Sequence, residues 1–198
     1  CYSVLSSKRL KVLLPSMICL SPVFTVMLAG RMPIFADVHD SNATIDPAIV
    51  EKMIADDPEI GAVVAVHLYG HQAKMEKLKD ICSKYDVILI EDVAQALGGK
   101  TKNGQLFGTF GDISVLSFGH TKILDLGGGG ALLTDSNKKN DFFRALNNQV
   151  IEEDENKIKR LSKLYSKLYY SIMEGVRIDP EFIDIMKHFP KLFRSIYF

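Results

Sequence analysis

The feature that most constrains the fold is a regular alternation of short apolar runs with helical patterns. The run GAVVAVHLYG, residues 61–70, is almost continuously apolar, as in strands that are buried on both faces. The next segment, residues 71–85, carries apolar side chains at helical spacing, and DVILIED, residues 86–92, is a second strand-like run. Strand, helix and strand in this rhythm predict βαβ units. We therefore expect an α/β fold with a mostly parallel or mixed central sheet flanked by helices.

The same alternation extends to both sides of this unit. PIFADV, residues 33–38, is strand-like, and residues 46–57 predict a helix with Asp46 as its N-cap and Pro47 at its first position. Downstream, Asn103-Gly104 is a hairpin-turn signal that precedes two more strand-like runs, at residues 112–118 and 130–135.

The pattern becomes helical from about Lys138. The outer face of the predicted helices is basic, and we interpret that face as solvated rather than as a lipid or nucleic-acid surface. The 24 Lys and Arg residues balance the 24 Asp and Glu residues, so a formal net charge of zero gives no reason to expect nucleic acid as a partner. The three cysteines, Cys1, Cys19 and Cys82, form no CxxC pair, which favours a reducing compartment, the cytoplasm.

Residues 12–30 carry no charge and follow several basic residues, a pattern shared with signal peptides and membrane spans. However, Pro15 and Pro22 would interrupt a spanning helix. We therefore predict no membrane segment, but a short strand, a turn at Pro15 and a buried helix from about Cys19 to Leu28.

The stretch SFGHTKILDLGGGG, residues 117–130, contains a lysine and four consecutive glycines. A Walker loop would need the lysine after the glycines, and the GxGxxG pattern fails at Leu133. The glycines also precede a strand-like segment rather than a helix. We predict that residues 127–130 let the backbone turn sharply and pass close to a bulky group.

Lys122 is the stronger candidate for chemistry in this stretch. A surface lysine is the simplest alternative, but Lys122 follows an apolar strand and has small or apolar neighbours. A lysine that is shielded from water is more easily neutral, and it can then attack a carbonyl to form a Schiff base. Pyridoxal phosphate is the commonest cofactor that uses such a lysine.

Three other residues would suit that cofactor. Asp92 ends an apolar strand, where its carboxylate would either pair with a protonated ring nitrogen or cap a turn. Gln95 would either contact a ring substituent or be an ordinary polar loop residue. Ser117 would either bind the phosphate or serve only the local structure.

These residues, in their order, carry a resemblance to a known family. VHLYG, EDVAQALGG, FGTFGDISVLSF and the TK before the glycines resemble the DegT/DnrJ/EryC1/StrS family of pyridoxal-phosphate sugar aminotransferases, which have the aspartate-aminotransferase fold. The upstream LLPS and AGRMPIFADVHDSNATIDP also match, so the resemblance covers roughly residues 10–135.

The resemblance implies a role for each candidate residue. Lys122 would bind the cofactor covalently and move protons at the substrate carbon. Asp92 would pair with the pyridinium nitrogen, Gln95 would contact the ring hydroxyl, and Ser117 would contact the phosphate. Family members with histidine in place of the lysine act as dehydratases, so Lys122 implies transamination.

The chain also departs from the family pattern. Cys19 stands where members usually have an aromatic residue that stacks on the cofactor ring. SFGHTKI replaces the usual SFHPTKN, so that His120 either contacts the phosphate or a substrate, or packs in a turn. The family's upstream Gly-Thr phosphate cup and most of its small domain are not recognisable, and we expect a fragment of a longer protein.

We predict a pyridoxal-phosphate-dependent enzyme that transfers an amino group, typically from glutamate, to a nucleotide-linked keto sugar in polysaccharide or antibiotic-sugar assembly. The cofactor-binding large domain would occupy residues 1–150, and a helical segment, residues 151–198, would lead into an incomplete small domain. Because the family builds its site at a homodimer interface, we expect a homodimer, and we expect no metal. The alternatives are a degenerate relative without catalysis and another reaction of the same cofactor, such as dehydration.

Overall fold

The structure, a computed structural model, describes residues 9–135 of the chain. The domain boundary predicted near residue 150 and the helices predicted from Lys138 onward lie outside these residues. Within them, the chain divides into two compact units. The first comprises residues 9–117 and 130–135, and the second comprises residues 118–129.

The first unit alternates strands and helices, as the sequence predicts. Its elements in chain order are β1 (Lys11–Pro15), α1 (Leu20–Leu28), β2 (Met32–Ala36), α2 (Pro47–Asp56), β3 (Ile60–Val66), α3 (Met75–Lys84), β4 (Ile88–Asp92), β5 (Ile113–Ser117) and β6 (Gly130–Leu133). The strands form one sheet in the order β2-β1-β3-β4-β5-β6. The first five are parallel to their neighbours and β6 is antiparallel to β5, which confirms the mixed, mostly parallel sheet.

Apolar side chains cover both faces of this sheet. All seven residues of β3 are buried, because the strand lies inside the sheet with helices on either side. On one face the core joins strand residues such as Leu13, Val63 and Leu89 to α2 and α3. On the other face it joins the alternate strand residues, such as Val64 and Ile90, to α1. Successive side chains of a strand therefore point to different helices.

The start of α2 follows its sequence signals. Asp46 is the N-cap, and its Oδ1 accepts a hydrogen bond of 2.9 Å from the Ala48 N–H. Pro47 occupies the first helical position, where its missing N–H leaves no intrahelical bond unmade. The hairpin turn is also confirmed, since Lys100 and Leu106 form an antiparallel bridge on either side of it.

The burial predicted for α1 is wrong, although the strand and helix predicted in this region are present. Val26 is the buried residue of the helix, whereas Leu20, Phe24, Met27 and Leu28 are each more than half exposed. The helix is apolar on nearly all sides, so its composition does not indicate which side meets the sheet. No helix formed by residues 9–135 is long and apolar enough to cross a membrane.

Candidate active site

The carboxyl ends of β4 and β5 bring two of the predicted site residues to the same edge of the sheet. β4 ends at Asp92 and β5 ends at Ser117. The two strands are parallel neighbours, with Asp92 in register with Val115. In open α/β sheets, ligands bind at this edge.

Asp92 begins the turn that follows β4. Its Oδ1 accepts a hydrogen bond of 2.9 Å from the Ala94 N–H, and its backbone carbonyl accepts one of 3.1 Å from the His67 N–H. The side chain lies on the face of the sheet covered by α1, since it alternates with Glu91 and shares a side with Ile90. The turn cap foreseen as an alternative is therefore present, and pairing with a ring nitrogen stays a prediction.

Gln95 connects two loops at this edge. Its Oε1 accepts a hydrogen bond of 3.0 Å from the Tyr69 N–H, and its Nε2 lies 3.8 Å from Cys19 Sγ at the N-cap of α1. Tyr69 has a φ of 53° and is three-quarters exposed, because the chain leaves β3 in a tight turn. Because of that turn, strand β3 ends at Val66, whereas the apolar run in the sequence continues to residue 70.

Ser117 is half-buried and forms the last backbone pair with β6, opposite Gly130. Within residues 9–135 its hydroxyl makes no hydrogen bond to another side chain. A hydroxyl in this state is able to donate to an anionic ligand. Binding of a phosphate by Ser117 stays a prediction.

The second unit, residues 118–129, contains Lys122 and His120. Its two ends are joined by a hydrogen bond of 3.0 Å from the Phe118 N–H to the Gly129 carbonyl. The Lys122 backbone N–H donates to the Gly119 carbonyl over 2.9 Å, and its side chain is partly buried. Among the residues that the structure describes, no carboxylate pairs with the Lys122 ammonium.

His120 is held inside the same unit by Asp125. Its Nδ1 lies 3.2 Å from Asp125 Oδ1, and its side chain is 9% exposed. Asp125 Oδ1 also accepts a hydrogen bond of 2.8 Å from the Gly127 N–H. This backbone bond, together with the weaker effect of His120, keeps the pKa of Asp125 below its ordinary value. His120 therefore contacts Asp125 within this turn, and its contact with a cofactor or substrate stays a prediction.

The glycine run forms a turn, as predicted. Gly127 and Gly129 have φ values of 83° and 86°, which favour glycine. A Cβ on Gly130 would lie 2.5 Å from the Leu116 carbonyl oxygen, so the close approach is to the backbone of β5. Gly130 is therefore the glycine that the pairing of β5 with β6 requires.

A buried carboxylate, Glu91, is the site feature that the sequence analysis missed. Glu91 and His67 are both fully buried, with His67 Nε2 2.9 Å from Glu91 Oε1. Four further groups donate to Glu91 over 2.7 to 3.3 Å. They are the backbone N–H groups of Gly108, Phe110 and Gly111 and the hydroxyl of Ser114. The His67 ring stacks on Phe107 at 4.1 Å between ring centroids.

The hydrogen bonds assign the charges of this pair. His67 Nδ1 accepts the Ala73 N–H over 3.2 Å, so the single ring proton is on Nε2 and is donated to Glu91. Burial opposes ionisation of Glu91, but the donors from His67 and the backbone outweigh it and hold the pKa of Glu91 below its ordinary value. The signal in the sequence was one charged residue inside an otherwise apolar strand, directly before Asp92.

Comparison with known proteins gives consistent matches. The model of the DegT/DnrJ/EryC1/StrS aminotransferase family matches residues 3–168. The GDP-perosamine synthase of Vibrio cholerae is 33% identical over 141 residues, which cover 71% of this chain and 38% of that protein.

Solved structures agree. The structure of DesI in the presence of its TDP-sugar product superposes with a TM-score of 0.65 at 32% identity, covering 72% of this chain and 36% of that one. The structure of NtdA from Bacillus subtilis with bound cofactor PMP gives a TM-score of 0.60 at 28% identity, and the match covers 67% of this chain and 29% of that one. The chain therefore spans well under half the length of these relatives.

Proposed function

Because the chain belongs to the DegT/DnrJ/EryC1/StrS aminotransferase family, we propose that it acts as a pyridoxal-phosphate-dependent aminotransferase on nucleotide-linked keto sugars. One observation carries the proposal. An acid, Asp92, and a hydroxyl, Ser117, end two neighbouring parallel strands, and the loop that follows the second strand contains Lys122.

The chemistry of these residues fits the cofactor. A carboxylate suits a protonated ring nitrogen, a hydroxyl suits a phosphate, and an amine suits a carbonyl. Asp92, Ser117 and Lys122 would therefore hold pyridoxal phosphate, with the Gln95 amide beside the ring hydroxyl. When bound, the cofactor supplies a carbonyl that links to amines and a ring that withdraws electrons from the substrate carbon.

Each residue has a defined task in this proposal. The Asp92 carboxylate keeps the proton on the ring nitrogen, because an anion beside that atom favours the protonated form. The Lys122 Nζ holds the cofactor between turnovers and carries a proton to and from the substrate carbon. Ser117 fixes the phosphate end, so that the reacting atoms stay in one orientation.

The names of the relatives support the proposed substrate class. The Vibrio cholerae protein is a GDP-perosamine synthase, and DesI was solved with a TDP-sugar product. Both names include a nucleoside-diphosphate sugar. We therefore propose a keto sugar on a nucleoside diphosphate as the amino acceptor, with glutamate as the donor, in polysaccharide or antibiotic-sugar assembly.

We further propose that the intact enzyme is a cytoplasmic homodimer. The outward side of α1 supports a second copy as partner, since Leu20, Phe24 and Leu28 expose more than half of their side-chain area. Contiguous apolar surface of this kind commonly marks a protein interface. Sedimentation of the intact enzyme would show a dimer if the proposal is right and a monomer at all concentrations if it is not.

The function is tested by titrating the full chain with pyridoxal phosphate and following visible absorbance. We expect a saturable band from the lysine-linked cofactor, and its loss in Lys122→Ala. The matched control is Lys102→Ala, because Lys102 is an exposed lysine in a turn of the first unit. That variant should titrate like the wild type.

Amino transfer from glutamate to a nucleotide-linked keto sugar is then measured on the same proteins. Product from the wild type and the Lys102→Ala variant, but not from Lys122→Ala, supports the proposal. A saturable band without amino transfer would favour another reaction of the cofactor, such as dehydration. No band in the wild type would favour a relative without catalysis.

A further inference from the structure

We propose that Glu91 and His67 form a positioning pair that fixes the cofactor-binding edge of the sheet. The inference rests on the proposed function, because the residues that it positions are those that would hold the cofactor. Neither side chain has any exposed area, so both act through other residues rather than by touching a ligand.

Hydrogen bonds to Glu91 connect β4 to residues 108–111, which precede β5. The Glu91 Oε1 accepts the Gly108 N–H over 2.7 Å, and its Oε2 accepts the Phe110 and Gly111 N–H groups over 2.8 and 3.0 Å. The Ser114 hydroxyl, in β5 itself, also donates to Oε2 over 3.3 Å. Asp92 directly follows Glu91, and β5 ends at Ser117, so the carboxylate fixes the two strands that carry these residues relative to each other.

His67 connects the end of β3 to the end of β4 through hydrogen bonds. Its ring donates to Glu91 and accepts from Ala73, while its backbone N–H donates to the Asp92 carbonyl. The turn that His67 begins contains Tyr69, whose N–H is bound by Gln95 Oε1. The pair is therefore connected through hydrogen bonds to the segments that hold Asp92 and Gln95.

The charge of Glu91 makes the positions of its hydrogen-bond donors important. A neutral histidine leaves the Glu91 charge without a cation, so the carboxylate depends on its five donors for stabilisation. Each donor must therefore stay close to the position it has now. An amide in place of the carboxylate would direct an NH₂ group at backbone N–H donors, and the loop formed by residues 107–111 would have to move.

The test compares Glu91→Gln with a control variant in which a buried apolar side chain is shortened. Val50→Ala is the control, because Val50 is fully buried in α2 and its side chain makes no hydrogen bond to the pair. Both variants are studied as full chains, under conditions in which denaturant titration shows them folded. We measure the dissociation constant of pyridoxal phosphate and, without cofactor, the amide hydrogen exchange of Tyr69.

We expect Glu91→Gln to raise the dissociation constant by about tenfold and to accelerate exchange at Tyr69 by a similar factor. Val50→Ala should change both by less than about twofold, since a purely structural loss does not displace the edge. Equal effects of the two variants, or no effect of Glu91→Gln, would overturn the inference.

His67 provides a second comparison if Glu91→Gln does not fold. In His67→Gln the side-chain amide nitrogen replaces Nε2 and keeps a donor for Glu91. In His67→Asn the amide replaces Nδ1 and loses that donor, while both variants lose the stacking on Phe107. We expect His67→Gln to bind within about threefold of the wild type and His67→Asn about tenfold more weakly.

The outcomes separate the two proposals. Equal binding by the His67→Gln and His67→Asn variants, with the wild type binding normally, would refute the positioning pair and leave the proposed function intact. A folded wild-type chain that binds no pyridoxal phosphate would refute the proposed function, and the inference with it.

Discussion

Under the proposed function, Asp92 would combine a structural and a chemical task in one carboxylate. One oxygen caps the turn through the Ala94 N–H, and the charge is what the proposed cofactor ring requires. Asparagine can replace the first task but not the second, because its Oδ1 still accepts the N–H while the side chain is neutral.

We therefore predict that Asp92→Asn keeps the hydrogen bond to the Ala94 N–H and raises the dissociation constant of pyridoxal phosphate by about tenfold. Asp46→Asn is the matched control, since Asp46 makes the same type of bond, to Ala48, at the start of α2. Asparagine is an equally good N-cap, so this variant should bind normally. Similar binding by the two variants would exclude a charge role for Asp92.

Glu91 makes the stability of the chain depend on pH. Its pKa is lowered in the folded state, because the donors from His67 and the backbone outweigh the effect of burial. The folded state then binds fewer protons than the unfolded state around the ordinary carboxyl pKa of about 4.3. The stabilisation is present above that pH and is lost as the pH falls through the lowered pKa of the folded state.

Urea unfolding of the wild type and Glu91→Gln between about pH 7 and pH 3 measures this dependence. At neutral pH we predict that the variant loses roughly 2–4 kcal/mol, and that the gap narrows as the pH falls below about 4.5. A gap that stays constant over this range would mean that the charge of Glu91 contributes nothing to the fold.

At the level of elements, the β5–β6 pair depends on one glycine. Ser117 pairs with Gly130, and a Cβ on Gly130 would collide with the Leu116 carbonyl oxygen at 2.5 Å. Gly128 offers a matched comparison, because a Cβ there would meet no atom within 4 Å.

We predict that Gly130→Ala lowers the free energy of unfolding by about 1–3 kcal/mol, whereas Gly128→Ala changes it by less than about 0.5 kcal/mol. Denaturant titration of both variants tests this difference. Equal stabilities would show that β6 can shift away from β5 without cost.

The elements also show where sequence patterns are informative. The apolar runs predict β3 and β4, because strands buried on both faces are mostly apolar, and the buried Glu91 in β4 is the exception. The exposed side of α1 could not be predicted, since an apolar helix does not indicate which of its faces meets the sheet. The early end of β3 depends on the turn at Tyr69, a non-glycine residue with positive φ for which the sequence has no signal.

At the level of the whole molecule, the parallel sheet explains why the placement of two candidate site residues was predictable. Parallel strands end at one edge, so polar residues at the ends of two neighbouring strands are expected to lie near each other. Asp92 and Ser117 follow this rule. The donors around Glu91 do not, because most of them are backbone N–H groups of residues 108–111, and a backbone group carries no residue-type signature.

The proposed function requires that Lys122 is the lysine that holds pyridoxal phosphate. Borohydride reduction of the full chain with bound cofactor, followed by peptide mass mapping, measures this directly, because reduction fixes the cofactor on the lysine that carries it. We predict a pyridoxyl group on the peptide that contains Lys122 and at most trace labelling of exposed lysines such as Lys102. An unlabelled Lys122, or equal labelling of Lys122 and Lys102, would contradict the account.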